Sequence, residues 1–333
     1  MNKRLLAIAI AAGLAAPLTV MAAEGGGAEI YGIAHVSVDR VDFDATGGVD
    51  AWTVTNRASR LGVKGSEDLG GGMKAVYKME FGVDIADTGA FSNRNQFVGI
   101  SGGMGTVLLG IHDSPLKLAQ GSFDVFNDTQ GDIALFGNGV DGDIRFKNAI
   151  TYFSPKMGGM QLVAQLLPGE GVDSCGGPAG TFCDGIADGV SLSFAYTAGD
   201  LYVGFAIDNG DLIADQMRLA ATYKMDALQV GFLYNARSDS ALAAVDNAED
   251  EVAIGLSASY AMGSNAVKAQ FIQLSDTTGS ATNNNDDVTA ITLGYDMNMT
   301  ARTTTYVLYH LVSPDTTAST DVATLSAGIK HSF

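Results

Sequence analysis

The 333-residue sequence lacks long apolar runs. After its first residues, no stretch supplies the ~20 consecutive apolar residues of a membrane helix. Proline is scarce, with 6 residues against 42 glycines, and charged residues make up only 17% of the chain. Hydrophobic residues nevertheless make up 47%. A chain this apolar without a helical span points to β-structure, either in an ordinary all-β protein or in a membrane-spanning one.

Basic residues are scarce as well. The chain has 19 lysines and arginines against 37 aspartates and glutamates, so its formal net charge is −18. Phosphate binding requires a basic face, and this charge balance therefore argues against nucleic acid as a partner.

Cysteine is limited to two residues, Cys175 and Cys183, in the segment DSCGGPAGTFCDG. Outside the cytoplasm such a pair predicts a disulfide that closes a small loop. The alternative is a metal site, which needs about four ligands. The possible histidine ligands are scattered along the chain at positions 35, 112, 310 and 331. We therefore expect a disulfide, no metal and no cofactor.

The first 22 residues predict a secretory signal peptide. Lys3 and Arg4 precede an apolar segment, 5–18, and cleavage is expected after Ala22 or Ala23. A membrane anchor is the alternative, but the segment is short and a polar, glycine-rich stretch follows it. The remaining chain, 23–333, is expected to leave the cytoplasm as a single domain.

Segments of about ten residues with alternating hydrophobicity recur along the exported chain, which is the pattern of a transmembrane β-barrel. About sixteen of them are predicted, an even number that suits an antiparallel up-and-down barrel. They are 30–41, 57–67, 73–84, 93–101, 105–112, 143–154, 160–167, 190–197, 201–208, 214–224, 228–237, 249–261, 266–275, 287–296, 301–312 and 322–333.

The connections between these segments alternate in length. Tight ones such as 198–200 and 262–265 alternate with longer polar ones such as 42–56 and 168–189. Outer-membrane barrels place short turns at the periplasm and long loops outside. A soluble sandwich would not sort its connections in this way.

Tyrosines recur a few residues before the tight turns, on the apolar face of their strands. Such a ring predicts an aromatic girdle at a lipid interface, whereas aromatic packing in a soluble β core would not single out one edge. The five residues are Tyr152, Tyr196, Tyr223, Tyr260 and Tyr295.

Charged residues occupy the opposite face of several strands. A charge facing lipid costs a few kcal/mol at the bilayer midplane, so these residues are expected to point into a water-filled lumen. The alternative is a soluble barrel with exterior charges, whose interior would then have to pack large Tyr and Phe side chains. The predicted wall residues are Arg60, Lys64, Lys78, Glu80, Arg145 and Lys147.

One stretch, 112–143, interrupts the alternation. A structureless connection this long is unusual in a compact domain and is usually functional or disordered. Within a closed barrel it could fold into the lumen and narrow it. Aspartates accumulate in it, at positions 124, 128, 132, 141 and 143.

The sequence resembles the trimeric general diffusion porins of Gram-negative outer membranes over essentially the whole mature chain. The resemblance rests on five segments, of which the second and the closing HSF are the most specific. They are AEIYGIAHVSVD, SRLGVKGSEDLGGGMKAVYKMEFGVD, NRNQFVGISGGMGTVLLGIHDSP, RFKNAITYFSPKMGGMQLVAQ and AGIKHSF.

This resemblance implies a sixteen-stranded outer-membrane barrel whose third external loop folds inward as a constriction. Acidic loop residues then face a ladder of basic wall residues, and the candidates for these acids are Asp124, Asp128 and Asp132. By resemblance 112–143 is that loop, Arg60 is a wall cation, and Arg145 and Lys147 lie where another is expected. The terminal Phe333 resembles the signal read by the barrel-assembly machinery.

The resemblance also implies a homotrimer in contact with outer-membrane lipid and lipopolysaccharide, through which small solutes and ions diffuse passively. The sequence departs from the family pattern at Ile33 and Ile111, where basic residues are frequent. With acids in surplus and wall cations missing, modest cation selectivity is predicted.

Rival functions remain open. A substrate-specific channel would need an aromatic track, but the inward aromatics Tyr31, Tyr202 and Tyr306 are scattered. A plugged adhesive barrel is compatible with the long loop. A barrel enzyme would need His112 or His310 as a base, and neither has an evident nucleophile nearby in the sequence. No catalytic residue is therefore predicted.

Overall fold

The computed structural model describes residues 27–43, 50–135, 143–173, 182–238, 251–276, 287–314 and 321–333. The predicted signal peptide, 1–22, lies outside the described residues and stays a prediction. No helix in these ranges is long and apolar enough to cross a membrane.

Strands make up most of the described chain. One short helix, α1 (Pro115–Ala119), and a 3-10 turn at Ile133–Leu135 interrupt them. The strands are β1 (Glu29–Phe43), β2 (Ala51–Asn56), β3 (Arg60–Gly70), β4 (Met73–Val83), β5 (Phe91–Gly102), β6 (Gly105–Asp113), β7 (Arg145–Phe153), β8 (Met160–Leu167), β9 (Val172–Asp173), β10 (Phe182–Cys183), β11 (Gly189–Ala198), β12 (Leu201–Gly210), β13 (Asp215–Met225), β14 (Leu228–Ser238), β15 (Glu251–Met262), β16 (Asn265–Asp276), β17 (Val288–Asn298), β18 (Thr303–Pro314) and β19 (Val322–Ser332).

The sheet closes on itself. From β3 to β8 and from β11 to β19 each strand pairs antiparallel with the next, β8 pairs with β11, and β1 pairs with β19 from Ile33↔Ser332 to Phe43↔Val322. β2 and β3 both pair with β1, end to end, and so share one position. The barrel therefore has sixteen strand positions, as the sequence predicted, while β9 and β10 form a separate small hairpin.

The segment 42–56 was expected to be a polar connection, and this is wrong for its second part. Ala51–Asn56 is strand β2, in which Trp52 pairs with Arg40 and Val54 pairs with Val38. The break before β3 lies at 57–59, where Ala58 has a positive φ of 53°. Because these three residues interrupt the alternation of hydrophobicity, the sequence pattern predicted a loop where the first half of this wall position is strand β2.

The two faces of the wall differ in the expected way. Along β12 and β13 the apolar Phe205, Ile207 and Leu219 are exposed, whereas the alternating Asp208 and Arg218 are buried. Polar side chains thus point inward and apolar ones outward, which is the arrangement a barrel needs in lipid.

Candidate functional site: the inner loop and the charged wall

The segment between β6 and β7 enters the barrel through α1. The side chain of Ser114 caps this helix by accepting a hydrogen bond from the amide of Lys117 (2.9 Å), and Pro115 follows at the first helical position. Leu116 and Ala119 of the helix are buried together with Ala206 of the inner wall.

The wall holds α1 by its carbonyl groups. The hydroxyl of Tyr202 donates to the carbonyl of Ala119 (3.0 Å), and Nη1 of Arg218 lies 3.4 Å from the carbonyl oxygen of Leu116. Both wall residues occupy inward positions of their strands. They supply donors to helix carbonyls that have no intrahelical partner.

The following residues are bonded to the wall in the same way. Nε2 of Gln229 donates to the carbonyl of Ser122 (3.0 Å), and Nε2 of Gln270 donates to the carbonyl of Gly131 (3.0 Å). These glutamines alternate with outward Val230 and exposed Phe271. The described part of the loop therefore lies against the inner surface of the barrel.

Two aromatic side chains of the loop are fully covered. Phe123 packs with Leu233, Ala253, Ile272 and other inward residues of β13 to β17. Phe126 packs with Val125 and with inward Tyr306 and Leu308 of β18. The loop therefore makes apolar contacts with the wall, and the wall residues in these contacts face inward.

Asp124 and Asp132 were expected to face the lumen, and this is wrong. The carboxylate of Asp124 accepts the amides of Phe126 (2.9 Å) and Ile133 (3.2 Å). Asp132 accepts the amides of Asp128 (2.6 Å) and Ala134 (2.8 Å). Short carboxylates satisfy backbone amides in a segment without regular secondary structure, and here they fold the loop onto itself.

Burial raises the pKa of Asp124 well above its usual range, and the neighbouring charge of Asp132 adds to the increase. Burial also raises the pKa of Asp132, next to the charge of Asp143. Asp143 itself forms an ion pair with Lys117 at the base of the loop (3.2 Å).

Asp128 alone among the three predicted loop acids meets cations of the wall. Its carboxylate pairs with Arg60 of β3 and lies 4.0 Å from Nζ of Lys330 of β19. Burial by itself would raise the pKa of Asp128, but the positive charges of Arg60 and Lys330 outweigh it and hold the pKa below the ordinary value. The loop tip is therefore an ionised carboxylate bound between two strands.

A second charged centre lies on the wall at Glu80. Its carboxylate accepts hydrogen bonds from Nε of Arg94 (2.7 Å) and the hydroxyl of Tyr31 (2.7 Å), and it pairs with Lys78 (3.1 Å). Lys64, directly opposite Lys78 in the β3–β4 ladder, pairs with Glu29 (3.4 Å). Four of the six predicted wall residues, Arg60, Lys64, Lys78 and Glu80, are thus grouped on β3 and β4.

Sequence reasoning missed several charged residues of this region. Arg94 and Lys330 lie beside the predicted ones, and Lys268 pairs with Asp296 (2.5 Å). Arg57 is buried against Asp39 (2.7 Å), whose carboxylate also accepts the hydroxyl of Ser326 (2.5 Å). Alternation could have identified the strand residues, but Arg57 lies in the break before β3.

Arg145 and Lys147 do not join the charged wall. Arg145 pairs with Asp113 at the base of the loop (3.0 Å). A register shift between Gly110 and His112, together with the positive φ of Asn148 (54°), displaces the alternation. Phe146 and not Lys147 is then buried, so the predicted inward position of Lys147 is wrong.

The five predicted girdle tyrosines all lie on strands near short turns. Tyr196, Tyr223 and Tyr260 are exposed. Tyr152 pairs with exposed Val107, and Tyr295 pairs with exposed Val267, so both share the outward face. Their contact with a lipid interface stays a prediction.

Two further predicted features lie at the ends of elements. Phe333 exchanges two backbone hydrogen bonds with Gly32 (3.1 Å each), and its side chain is exposed. Cys183 is buried in β10 and is disulfide-bonded, but Cys175 lies outside the described residues, so the pairing of these two cysteines stays a prediction.

The histidines considered as possible bases are enclosed. His112 packs between Phe97 and Phe153, and its Nδ1 lies 2.9 Å from the carbonyl oxygen of Asp113. Nδ1 of His310 is hydrogen-bonded to Thr292 (2.9 Å), which lies under Gly131 of the loop. Within the described ranges no cluster of three or more His, Cys, Asp or Glu residues could hold a metal ion.

A closed barrel with an apolar exterior, an inner loop and a charged inner wall defines a pore-type membrane protein. The model of the Gram-negative porin family matches residues 6–317. The chain therefore belongs to the Gram-negative porin family, and its place is the outer membrane.

Curated relatives agree with this assignment. The chain is 37% identical over 171 residues to outer membrane porin protein 32 of Delftia acidovorans, covering 48% of this chain and 47% of the relative. It is 29% identical over 182 residues to major outer membrane protein P.IB of Neisseria gonorrhoeae, covering 53% and 51%. These matches span about half the length of the relatives.

Solved structures share the fold along almost the whole chain. An anion-selective porin from Comamonas acidovorans superposes with a TM-score of 0.76 at 21% identity, covering 92% of this chain and 100% of that one. The trimer form of OmpT from Vibrio cholerae superposes with a TM-score of 0.67 at 15% identity, covering 92% and 99%.

Proposed function

We propose that this protein is a water-filled channel through which small hydrophilic solutes and ions diffuse passively across the outer membrane. The observation that carries the proposal is the position of the loop. It lies against the inward faces of β12 to β18, and its residue Asp128 binds Arg60 of β3. The segment 112–143 then acts as the constriction.

The charges around the loop tip favour anions. The ion pairs there contain more cations than carboxylates: Arg57, Arg60, Lys64, Lys78, Arg94, Lys268 and Lys330 against Glu29, Asp39, Glu80, Asp128 and Asp296. Glu80 and Asp128 are each shared by two cations. Rings of charge at the narrowest point set ion preference, so this local excess supports weak anion selectivity.

This proposal differs from the modest cation selectivity predicted from the surplus of acids and the missing wall cations. Charges at the outer rim are screened over about 8 Å at physiological ionic strength, whereas the low-dielectric walls of a narrow lumen focus the field of the charges that line it. The superposed porin that is described as anion-selective supports the same sign. The two alternatives predict reversal potentials of opposite sign.

Assembly partners form a further part of the proposal. A homotrimer is suggested by the family and by the superposed trimer form of OmpT. Contact with lipid and lipopolysaccharide fits the exposed apolar exterior. Phe333, exposed at the end of β19, remains the candidate signal for the barrel-assembly machinery.

An enzymatic role has little support beside a channel. The porin family and fold belong to channels, and His112 and His310 are both buried, His112 among apolar rings and His310 under the loop. A plugged adhesive barrel is the more serious rival, because the loop fills much of one side.

Liposome swelling tests the proposal. Liposomes containing the refolded mature protein should swell in sugars of small size and cease to swell as the sugar grows, since a fixed constriction excludes by size. A deletion within 112–143 should raise the size limit. Absence of swelling with protein that is shown to be folded would favour the plugged barrel.

A further inference from the structure

Two aromatic residues of the loop sit directly over glycines of the wall. An ideal Cβ placed on Gly255 of β15 would lie 2.4 Å from Cζ of Phe123, and one placed on Gly294 of β17 would lie 2.6 Å from Cε1 of Phe126. Real Cβ atoms essentially never approach so closely, because carbon atoms in contact are separated by about 3.5–4.0 Å. Both rings therefore rest where only glycine leaves room.

The pattern is confined to the inward face. Gly255 alternates with exposed Ile254 and Leu256, so the same strand is bulky toward lipid and bare toward the loop. Gly255 lies in mid-strand and has no positive φ, so backbone conformation does not require glycine there. The nearest obstacle to a side chain there is the Phe123 ring, followed by Cδ1 of Ile272 at 2.9 Å.

The hydrogen bonds on either side of the rings hold the loop at its position along the wall. The distance between the loop and the wall is set by the two rings. The carbonyls of Ser122 and Gly131 accept bonds from long, adaptable glutamine side chains of the wall. Phe123, in contrast, is 0% exposed and cannot move toward the wall without overlapping it. We call the space above Gly255 that receives the Phe123 ring the glycine seat. The depth of the ring in this seat therefore sets how far the loop projects into the lumen.

We infer that Phe123 and Gly255 form the pair that determines the width of the constriction, with Phe126 and Gly294 repeating the arrangement nearer the tip. Phe123 is a positioning residue, since it is enclosed and touches no solute. This inference rests on the proposed channel function, because it concerns the size limit of the same constriction.

The test adds one methyl group to the seat. Gly255→Ala should push the Phe123 ring and the loop by about 1 Å into the lumen, because the contact must lengthen to its usual value. Single-channel conductance should fall by less than about twofold, with unchanged ion preference, since the cross-section changes and the charges do not. The size limit in liposome swelling should fall with it.

The matched control adds volume to the same strand on its other face. Ala258 lies on the outward face of β15, with Leu256 and Tyr260. Ala258→Val should leave conductance and the size limit unchanged. A smaller side chain at position 123 should make room for the added methyl group. Phe123→Leu combined with Gly255→Ala should therefore return the conductance toward the wild-type value.

The inference would be overturned if folded Gly255→Ala had the conductance of the wild-type protein. It would also be overturned if Ala258→Val lost as much conductance as Gly255→Ala. A wild-type protein that does not conduct would instead overturn the proposed function. In that case the contact between positions 123 and 255 is tested by the unfolding midpoints of Phe123→Leu, Gly255→Ala and the double variant. Additive shifts would contradict a contact between the two positions, whereas a smaller combined shift would support it.

Discussion

The inner wall of this barrel has two contrasting halves. The half that the loop covers, on β12 to β18, presents small or apolar inward residues such as Ala220, Ala253 and Gly255. The half near β1 to β5 presents ion-paired charges such as Lys64, Lys78 and Glu80. The covered half joins these small or apolar residues to polar ones that bind the loop, such as Gln229 and Gln270, whereas ion-paired charges are grouped on the open half.

The comparison separates two tasks that porin function requires. The covered half fixes where the loop lies, through enclosed rings and hydrogen bonds to its carbonyls. In the proposed channel the open half is the electrostatic surface that passing ions meet, and Lys64 is 43% exposed there. Asp128 joins the two halves, because it belongs to the loop but binds Arg60 of the open half.

The largest effect is expected from removing the enclosed ring. Phe123→Ala should cost about 3–5 kcal/mol of stability, because the residue is fully buried and the seat cannot collapse. Urea unfolding measures the loss, and conductance should rise or become noisy as the loop loosens. Phe232→Ala, on the lipid-facing side of β14, is the control. An equal loss there would mean that the covered half is not special.

Charge reversal on the open half should change ion preference strongly with little loss of stability. Replacing Lys64 and Lys78 together by Glu turns the local excess of cations into an excess of carboxylates. The reversal potential should then move to the cationic sign. A matched double replacement by Gln should move it part of the way. No shift in either variant would remove these lysines from the conducting surface.

Neutralising the loop tip should have a moderate effect in the opposite direction. Asp128→Asn leaves Arg60 and Lys330 without their shared carboxylate, so anion preference should increase. The change is read from the reversal potential, and a decrease in anion preference would contradict the assignment of the tip.

Acid should reproduce this change in the wild-type protein. The folded pKa of Asp128 is lowered, so its pairing is fully present above the ordinary carboxyl pKa near 4 and is lost as pH falls through the lower folded value. Anion preference should therefore stay constant from pH 7 to about pH 4 and rise below it. Asp128→Asn should show a smaller rise, because the other carboxylates of the charged wall, such as Glu80 and Asp296, remain.

The smallest effect is expected at Lys147. Since it is exposed and displaced from the inward face by the irregularity at Asn148, Lys147→Gln should leave the reversal potential unchanged. Lys78→Gln is the comparison, and it should reduce anion preference. Equal effects would restore Lys147 to the conducting wall.

The sequence was sufficient for the barrel and for part of the charged wall. Period-two alternation identified the strand positions, and inward charges such as Lys64 and Glu80 followed from it. Alternation failed where the backbone departs from regular pairing, at the break before β3 and at Asn148. A bulge is invisible in hydrophobicity and reverses the faces of the residues beyond it.

The contacts of the loop could not be predicted from the sequence pattern. Its acids could be counted, but Asp124 and Asp132 bind amides a few residues away, while Asp128 reaches Arg60 at a separation of 68 residues. Whether a carboxylate folds its own loop or binds the opposite wall depends on tertiary contacts. The glycines that receive Phe123 and Phe126 likewise resemble any other strand glycine in the sequence.

The sign of the reversal potential tests the central claim most directly. The refolded mature protein should be recorded in a planar bilayer under a salt gradient at neutral pH, with Lys64 and Lys78 intact. A potential of anionic sign is predicted, because the charges at the loop tip outweigh the acidic surplus of the whole chain. A potential of cationic sign would contradict the account and would mean that the net charge of −18 governs the channel.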